Sequence, residues 1–571
     1  MEERRIINRL WQNAPCFDPE TRREAKRIAK HEAELLSCFG TELSFGTGGL
    51  RGVLGVGTSR MNRYTVAKAT FGLCGYLKQA PAECDLKARP ASVAIAYDTR
   101  HGSREFAGVT AGVLARHGIR AWMYDRPMPT PLLSFAARAL RCDAGVMITA
   151  SHNPPQYNGY KVYGPDGCQI TDEAAKAITA EIQRVDYREL EWAAEDEAKQ
   201  NGLLHAIPPS VYEDYLRRTL ACRVRTSPSK RAHPPLELIY TPLHGVGLEP
   251  VLDVLGRMPG IRVTTVEEQC APDGDFPSCP DPNPERLPVL RLAIAYAGRT
   301  GSPLVLATDP DCDRVGVAAR LPGGDYRHLT GNEVGLLLEE FILSNAYASR
   351  TAERFPSTVV KTVVTSDLAF PIAEKYGARV VEVLTGFKYI GEVISRMEAD
   401  GDVRRFAFGF EESCGYLAGS HVRDKDGVMA CMLVAEMAQA LAAEGKTLID
   451  ALESLYRAHG FMETRLLHYE FKNALPLEDM AAFMTRLRAD PPCVLGGSPV
   501  VSLQDYRGGI GSLPPSDVLS IQNEAGGKAV VRPSGTEPKV KIYLSAPGKS
   551  AEDALKSIET IAIQAEGWFA G

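Results

Sequence analysis

The stretch Ala144-Gly145-Val146-Met147-Ile148-Thr149-Ala150-Ser151-His152-Asn153-Pro154 decides the fold. Its first five residues are continuously apolar, as in a strand buried on both faces. The polar turn that follows displays Ser151, because Pro154 pushes Asn153 away from helical geometry. The same passage from apolar strand to polar loop recurs along the chain. Ser92-Val93-Ala94-Ile95-Ala96-Tyr97 ends in Asp98-Thr99-Arg100, a helix is expected over Arg104 to His117, and Leu304-Val305-Leu306-Ala307-Thr308 ends in Asp309. Short strands alternating with helices favour a mixed, largely parallel sheet covered by helices. Such sheets place ligand sites at the ends of their strands.

The alternation restarts twice. Leu236-Glu237-Leu238-Ile239-Tyr240 opens a second unit, closed by the strand that ends at Thr308, and Ser357-Thr358-Val359-Val360 opens a third. The third includes Arg379-Val380-Val381-Glu382-Val383 and Phe406-Ala407-Phe408. Farther on, Ala529-Val530-Val531 and Lys539-Val540-Lys541-Ile542-Tyr543 flank a polar loop and precede a helix from Ala551, as in a small α+β domain. Ahead of all these, Thr21 to Phe39 reads as amphipathic helix, with Ile28, Ala33, Leu35 and Leu36 at roughly helical spacing. Breaks fall at the polar stretch Arg223 to Pro235, at the turn Leu321-Pro322-Gly323-Gly324, and after Ala458. The sequence thus predicts a helical extension over 1–44, α/β domains over 45–222, 223–325 and 326–458, and a smaller α+β domain over 459–571. Dividing 571 residues by ~150 per domain also gives roughly four.

A net charge of -6 is mild for this length, so neither a nucleic-acid surface nor a polybasic membrane patch is expected. The N-terminus enters a charged helical pattern rather than a signal peptide, and no apolar run reaches the ~18 residues of a membrane span. The 13 cysteines form no CxxC pair, and a reducing, cytoplasmic location fits them best.

The polar loops carry the chemistry. No Gly-x-Ser-x-Gly elbow surrounds Ser151, which argues against an esterase serine. Asp309, Asp311 and Asp313 alternate after a strand, a spacing that points three carboxylates to one side. Their repulsion calls for a divalent cation, and hard oxygen ligands suit magnesium, which usually keeps a phosphate oxygen among its ligands. An EF-hand is excluded, because its glycine position holds Arg314 and its final glutamate position holds Arg320. Arg532-Pro533-Ser534-Gly535-Thr536 combines an arginine fork, two hydroxyls and glycine-exposed amides, the makings of a phosphate cradle without the Gly-Lys-Ser/Thr of a Walker loop. Phe45 to Gly52 is glycine-rich, yet Arg51 stands where a dinucleotide motif needs its third glycine. Glu411 and Ser413 follow a strand and can grip vicinal hydroxyls. The inventory points to phosphoryl transfer on a small polyhydroxylated substrate.

Taken together and in order, these loops resemble the α-D-phosphohexomutase superfamily, the phosphoglucomutases and phosphomannomutases. The matches span Phe45 to Tyr543. Thr149 to Pro154 looks like the phosphoserine loop, and Asp309 to Arg314 like the magnesium loop, with Pro310 and Cys312 where many members carry glycines. Gly409 to Ser413 resembles the sugar loop and Arg532 to Thr536 the phosphate loop. Asn158 to Lys161, Thr385-Gly386-Phe387-Lys388 and Arg423 to Gly427 add secondary matches. Length and the N-terminal extension look most like the longer phosphoglucomutase branch, which also contains phosphopentomutases and a glucose-1,6-bisphosphate synthase.

The resemblance implies three αβα-sandwich domains and a smaller C-terminal domain around a central cleft, closing to exclude water. It implies that a small-molecule sugar phosphate is isomerised, with Mg2+ as cofactor and a hexose 1,6-bisphosphate as activator and intermediate. Ser151, His152, Lys161 and Arg51 would be catalytic, and Ser151, Asp309, Asp311 and Asp313 would hold the metal. Arg314, Thr385, Gly386, Lys388, Glu411, Ser413, Lys425, Arg532, Ser534, Gly535 and Thr536 would bind substrate. Phosphopentomutase and bisphosphate synthase stay open as alternatives at this stage.

Overall fold

Ser92–Tyr97 (β2) and Ala144–Ile148 (β4) lie side by side and parallel, every residue buried, in the middle of a six-stranded sheet. The sheet also contains Gly49–Val53 (β1), Arg120–Met123 (β3), Tyr157–Tyr163 (β5) and Leu204–Ala206 (β6), in the order β1-β5-β4-β2-β3-β6. The β4-β2-β3-β6 half is parallel, whereas β5 returns antiparallel to β4 and β1 antiparallel to β5. That return brings Arg51 opposite Gly159, close beside the loop that leaves β4.

The computed structural model describes residues 2–46, 49–79, 90–225, 234–348, 357–471, 476–511, 513–534 and 539–569. Gly535 and Thr536 of the expected phosphate cradle lie outside the described residues, as do Thr47 and Gly48. The chain forms two compact units: Met1–Leu329 with Gly391–Val403 and Gly415–Gln439, and Thr330–Ile390 with Arg404–Cys414 and Ala440–Gly571. The architecture is α/β.

In the first unit a second sheet follows, built from Leu236–Thr241 (β7), Ile261–Thr265 (β8), Leu304–Thr308 (β9), Val315–Arg320 (β10) and Tyr326–Leu329 (β11) in the order β11-β10-β9-β7-β8. The turn at Leu321 to Gly324 is a hairpin joining β10 to β11, so the break expected there falls just beyond it, after Leu329. Gly324, at φ +97°, supplies its left-handed corner, and the sheet therefore runs on to Leu329. The N-terminal helical stretch also departs from expectation. It breaks into Pro19–Ile28 and Glu32–Phe39, with extended backbone at His31. The break sets Phe39 edge-on to buried Trp11, which stacks on Phe17 and meets Tyr64 of the helix Arg63–Gln79. The extension is thus part of the first core rather than an appendage.

The second unit holds Thr358–Thr362 (β12) between Arg379–Val383 (β13) and Phe406–Glu411 (β14), all parallel. Its C-terminal part is an antiparallel sheet in the order Phe461–Glu470, Lys539–Gly548, Lys528–Pro533, Leu519–Asn523, Ser498–Asp505, Val494–Leu495. The helices Pro476–Ala489 and Ala551–Gly567 share its apolar core, contributing Phe483, Met484, Ile558 and Ile561.

Candidate active site

The loop after β4 meets the loop after β9, so two strands' ends from two sheets of the first unit share one site. Ser151 Oγ donates a 2.8 Å hydrogen bond to Asp309 Oδ2. Both loops carry left-handed backbone at a non-glycine residue, Ser151 at φ +52° and Cys312 at φ +54°. Such conformations cost on the order of 1–3 kcal/mol each and persist only where the surroundings enforce them. At Cys312 the enforcing contact is a turn, closed by its N–H donating to Asp309 O at 2.9 Å. The same conformation accounts for glycine being suited to that position.

Asp309, Asp311 and Asp313 are buried, and one carboxylate oxygen from each lies within 4.8 Å of the others. Asp309 Oδ1 accepts the backbone N–H groups of Asp313 and Arg314 at 3.1 and 3.0 Å. Asp311 Oδ2 accepts from Lys161 Nζ at 3.0 Å and Thr130 Oγ1 at 2.9 Å, while Asp313 Oδ2 sits 3.2 Å from Lys425 Nζ. Asp311 Oδ1 and Asp313 Oδ1 are buried and make no hydrogen bond among the described residues. Buried carboxylate oxygens are ordinarily satisfied, so two of them beside a third carboxylate and a hydroxyl suit a hard cation. Burial and the neighbouring Asp311 and Asp313 charges push the Asp309 carboxyl well above the usual range. Burial acts likewise on Asp311, but Lys161 outweighs it and holds that carboxylate low.

The cations around the cluster are placed by β5 and by neighbouring loops. Burial pulls the Lys161 ammonium down, yet Asp311 and Asp313 override it and keep the group above its ordinary value, so it stays charged. Arg314 pairs with Glu285. Arg51 Nη1 donates to Asn153 Oδ1 at 3.3 Å, beside the serine. His152 Nδ1 lies 3.2 Å from Ser151 Oγ, and burial, with Arg314 and Arg51 nearby, keeps its ring neutral. Lys425, expected to touch substrate, is held between Asp313 and Asp424.

In the second unit Glu411 ends β14 and its Oε1 accepts the Gly386 N–H at 2.9 Å. Gly386 has φ +123°, a conformation that favours glycine, and Thr385 Oγ1 beside it is buried without a hydrogen-bond partner among the described residues. Lys388 Nζ lies 4.9 Å from the centre of the Tyr389 ring. Arg532 lies next to the last residue of the strand Lys528–Pro533, and just beyond it Ser534 N donates to Lys539 O. Tyr543, on the facing strand, lies within electrostatic reach of Glu412, Arg532 and Glu411, and burial raises its phenol. Glu411 and Arg532 are therefore near each other within this unit.

Four consecutive family models match: the phosphoglucomutase/phosphomannomutase α/β/α domains I, II and III over residues 42–189, 213–323 and 330–459, and the C-terminal domain over 503–560. The phosphoglucomutase of Staphylococcus epidermidis is 36% identical over 518 residues, covering 88% of this chain and 91% of the relative. That of Staphylococcus aureus is 34% identical over 537 residues, covering 92% and 93%. The chain belongs to the phosphoglucomutase/phosphomannomutase family. Solved structures share the family fold: a phosphoglucomutase/phosphomannomutase family protein from Burkholderia thailandensis superposes with TM-score 0.67 at 18% identity, covering 92% of this chain and 98% of that one. Parafusin from Paramecium, in an open form, gives TM-score 0.66 at 16% identity, covering 93% and 96%.

Within this family member each matched domain contributes one of the four loops: Ser151, Asp309 to Asp313, Glu411, and Arg532. Three residues of the site escaped the sequence reading. Thr130 fixes Asp311, Glu285 fixes Arg314, and Arg100 grips the serine loop from beneath. Thr130 opens the helix Thr130–Ala139 after Pro129, and the only signal was its place beyond a strand end. Arg100 had a similar signal, directly after β2.

Proposed function

We propose that this protein is a phosphoglucomutase, interconverting hexose 1-phosphate and hexose 6-phosphate, with glucose as the principal sugar and mannose as a second. The observation that carries the reading is the serine hydroxyl on Asp309 inside a buried aspartate triad. The names of the curated relatives support hexose over pentose.

In the first half-reaction a sugar hydroxyl oxygen bonds to phosphorus as the P–Oγ bond of phospho-Ser151 breaks. The proton released by the sugar hydroxyl is taken up at Ser151 Oγ, which keeps the electron pair of the broken bond, so that a serine hydroxyl and a hexose 1,6-bisphosphate result. In the second half-reaction Ser151 Oγ bonds to the phosphorus of the other phosphate as that phosphorus parts from the sugar oxygen; the serine proton passes to that oxygen, and the isomerised monophosphate leaves with a free hydroxyl. No nucleotide is consumed. Asp309, Asp311, Asp313 and a phosphoserine oxygen would hold Mg2+, which when bound neutralises charge on the transferring group. Lys161, whose ammonium Asp311 and Asp313 favour, offsets the triad and would steady phosphoryl charge. Arg51 and Arg314 add positive charge beside the serine, and neutral His152 is placed to exchange a proton with Ser151 Oγ. Arg532, Ser534, Gly535 and Thr536 would hold the phosphate that is not transferring, while Glu411, Ser413, Thr385, Gly386 and Lys388 bind sugar. Lys425 would contact substrate through its ammonium, which the two aspartates beside it hold in place. Anchoring the distal phosphate lets remote binding energy position the reacting hydroxyl.

The test is net conversion of glucose 1-phosphate to glucose 6-phosphate with Mg2+ and a trace of glucose 1,6-bisphosphate. Accumulation of bisphosphate without net isomerisation, or turnover of ribose 1-phosphate alone, would overturn the reading.

A further inference from the structure

We infer that Arg100 is the positioning residue that fixes Ser151 in its reactive conformation. This inference rests on the phosphoserine reading above. The Arg100 side chain has no solvent exposure, so it cannot touch a substrate, yet it contacts the serine loop at four points. Its Nη2 donates to the carbonyl oxygens of Ser151 and Asn153, and its Nη1 to those of Pro154 and Tyr157 at 2.9 and 3.2 Å. The guanidinium is anchored in turn. Its Nε stands 3.2 Å from Asp98 Oδ2, and its face lies 4.9 Å from the centre of the Phe276 ring.

Asp98 completes the clamp from the other end of the loop. Its Oδ2 accepts from Thr149 Oγ1 at 2.6 Å, and that same hydroxyl accepts the Ser151 N–H at 2.8 Å. Ser103 Oγ and the Arg100 N–H satisfy Asp98 Oδ1. Ser151 is therefore held at its N–H through Thr149 and at its carbonyl by Arg100. The pair brackets the one residue of the loop with left-handed backbone. A serine left to itself would abandon φ +52° for the extended or helical region, swinging Oγ away from Asp309. The four Nη donors of one rigid plane serve four carbonyls while the guanidinium charge faces the Asp98 carboxylate; a lysine's three donors cannot.

The experiment compares full-length wild type with Arg100→Lys. We expect kcat for glucose 1-phosphate isomerisation to fall about 100-fold, as for a reacting group misplaced by about 1 Å, while KM changes by less than about twofold. Single-turnover transfer of phosphate from glucose 1,6-bisphosphate to dephosphorylated Ser151, followed by intact mass, should slow by the same factor. Should Arg100→Lys fail to fold, Thr149→Val, which cuts the other half of the clamp, is expected to give the same split. A folded variant with wild-type kcat, or one in which KM rises with kcat unchanged, overturns the inference. A wild-type protein that neither isomerises the sugar nor accepts phosphate on Ser151 overturns instead the reading beneath it.

Discussion

Ser151 Oγ and Asp309 Oδ2 stand 2.8 Å apart although 158 positions separate them in the chain. In the unmodified protein the hydroxyl proton satisfies Asp309. Once Oγ carries phosphate that proton is gone, and up to two negative charges face three carboxylates in a buried cluster. Lys161 and Lys425 offset part of this. A divalent cation held at the three carboxylates would offset the rest.

Phosphorylation of Ser151 should therefore tighten Mg2+ binding by at least about tenfold, which is about 1.4 kcal/mol. Calorimetric titration of phosphorylated and dephosphorylated protein would measure it. Equal affinities would show that the phosphate is not a ligand.

Replacing buried Asp311 by asparagine removes the strongest partner of partly buried Lys161 and one carboxylate of the triad. Breaking a buried pair costs about 3–5 kcal/mol when a charge is left uncompensated, and Asp313, 3.7 Å from Lys161, softens that cost. Asp311→Asn should lower activity by about 100-fold or more, and the rise in melting temperature expected when Mg2+ binds the native wild type should be lost. Thermal shift with and without chelator reads both. A variant still stabilised by Mg2+ would place the metal elsewhere.

Gly159 lies on β5 between the serine loop and β1. A β-carbon there would stand 2.5 Å from Thr149 O and 2.8 Å from Leu50 O, both backbone atoms that cannot rotate away. Gly159→Ala should destabilise the protein by about 1–3 kcal/mol and lower kcat by displacing Thr149, the residue that receives the Ser151 N–H. Unchanged kcat and melting temperature would mean the strands part without disturbing the serine.

Much of this site was legible because strands and reactive loops are local signals. Ser92–Tyr97, Leu304–Thr308 and Arg379–Val383 have the predicted bounds, since each is an unbroken run of strand-forming residues ended by a polar or glycine-containing turn. Ser151 and the aspartates stood out by type and spacing. At Leu321 to Gly324 the Pro-Gly turn joins two strands of one sheet and the break follows at Leu329, a distinction the sequence does not carry, because such a turn looks alike between strands and between domains. Arg100 and Thr130 were illegible for another reason. Their roles consist of hydrogen bonds to residues 50 and more positions away, and nothing in Asp98-Thr99-Arg100 distinguishes a clamp from a turn.

Glu339, on the helix Gly331–Ala348, gives a pH dependence unconnected with the metal. It is fully buried and neither carboxylate oxygen is hydrogen-bonded among the described residues. Burial raises its pKa well above 4.5, against the pull of Lys361. A raised folded value means that the contribution to stability is full below about pH 4.5, the unfolded value, and is lost as pH climbs towards the folded one. Glu339→Met should stabilise the protein by about 1–3 kcal/mol at pH 8 and by less at pH 5. Thermal unfolding at the two pH values checks this, and a gain independent of pH would contradict it.

The account stands most directly on the fate of one phosphate. Protein charged with radiolabelled phosphate from glucose 1,6-bisphosphate should carry the label on the peptide containing Ser151. Mixing it with unlabelled glucose 1-phosphate should move that label into hexose phosphates at a rate no slower than turnover. Label mapped to another residue, or retained on Ser151 while isomerisation proceeds, would contradict the account.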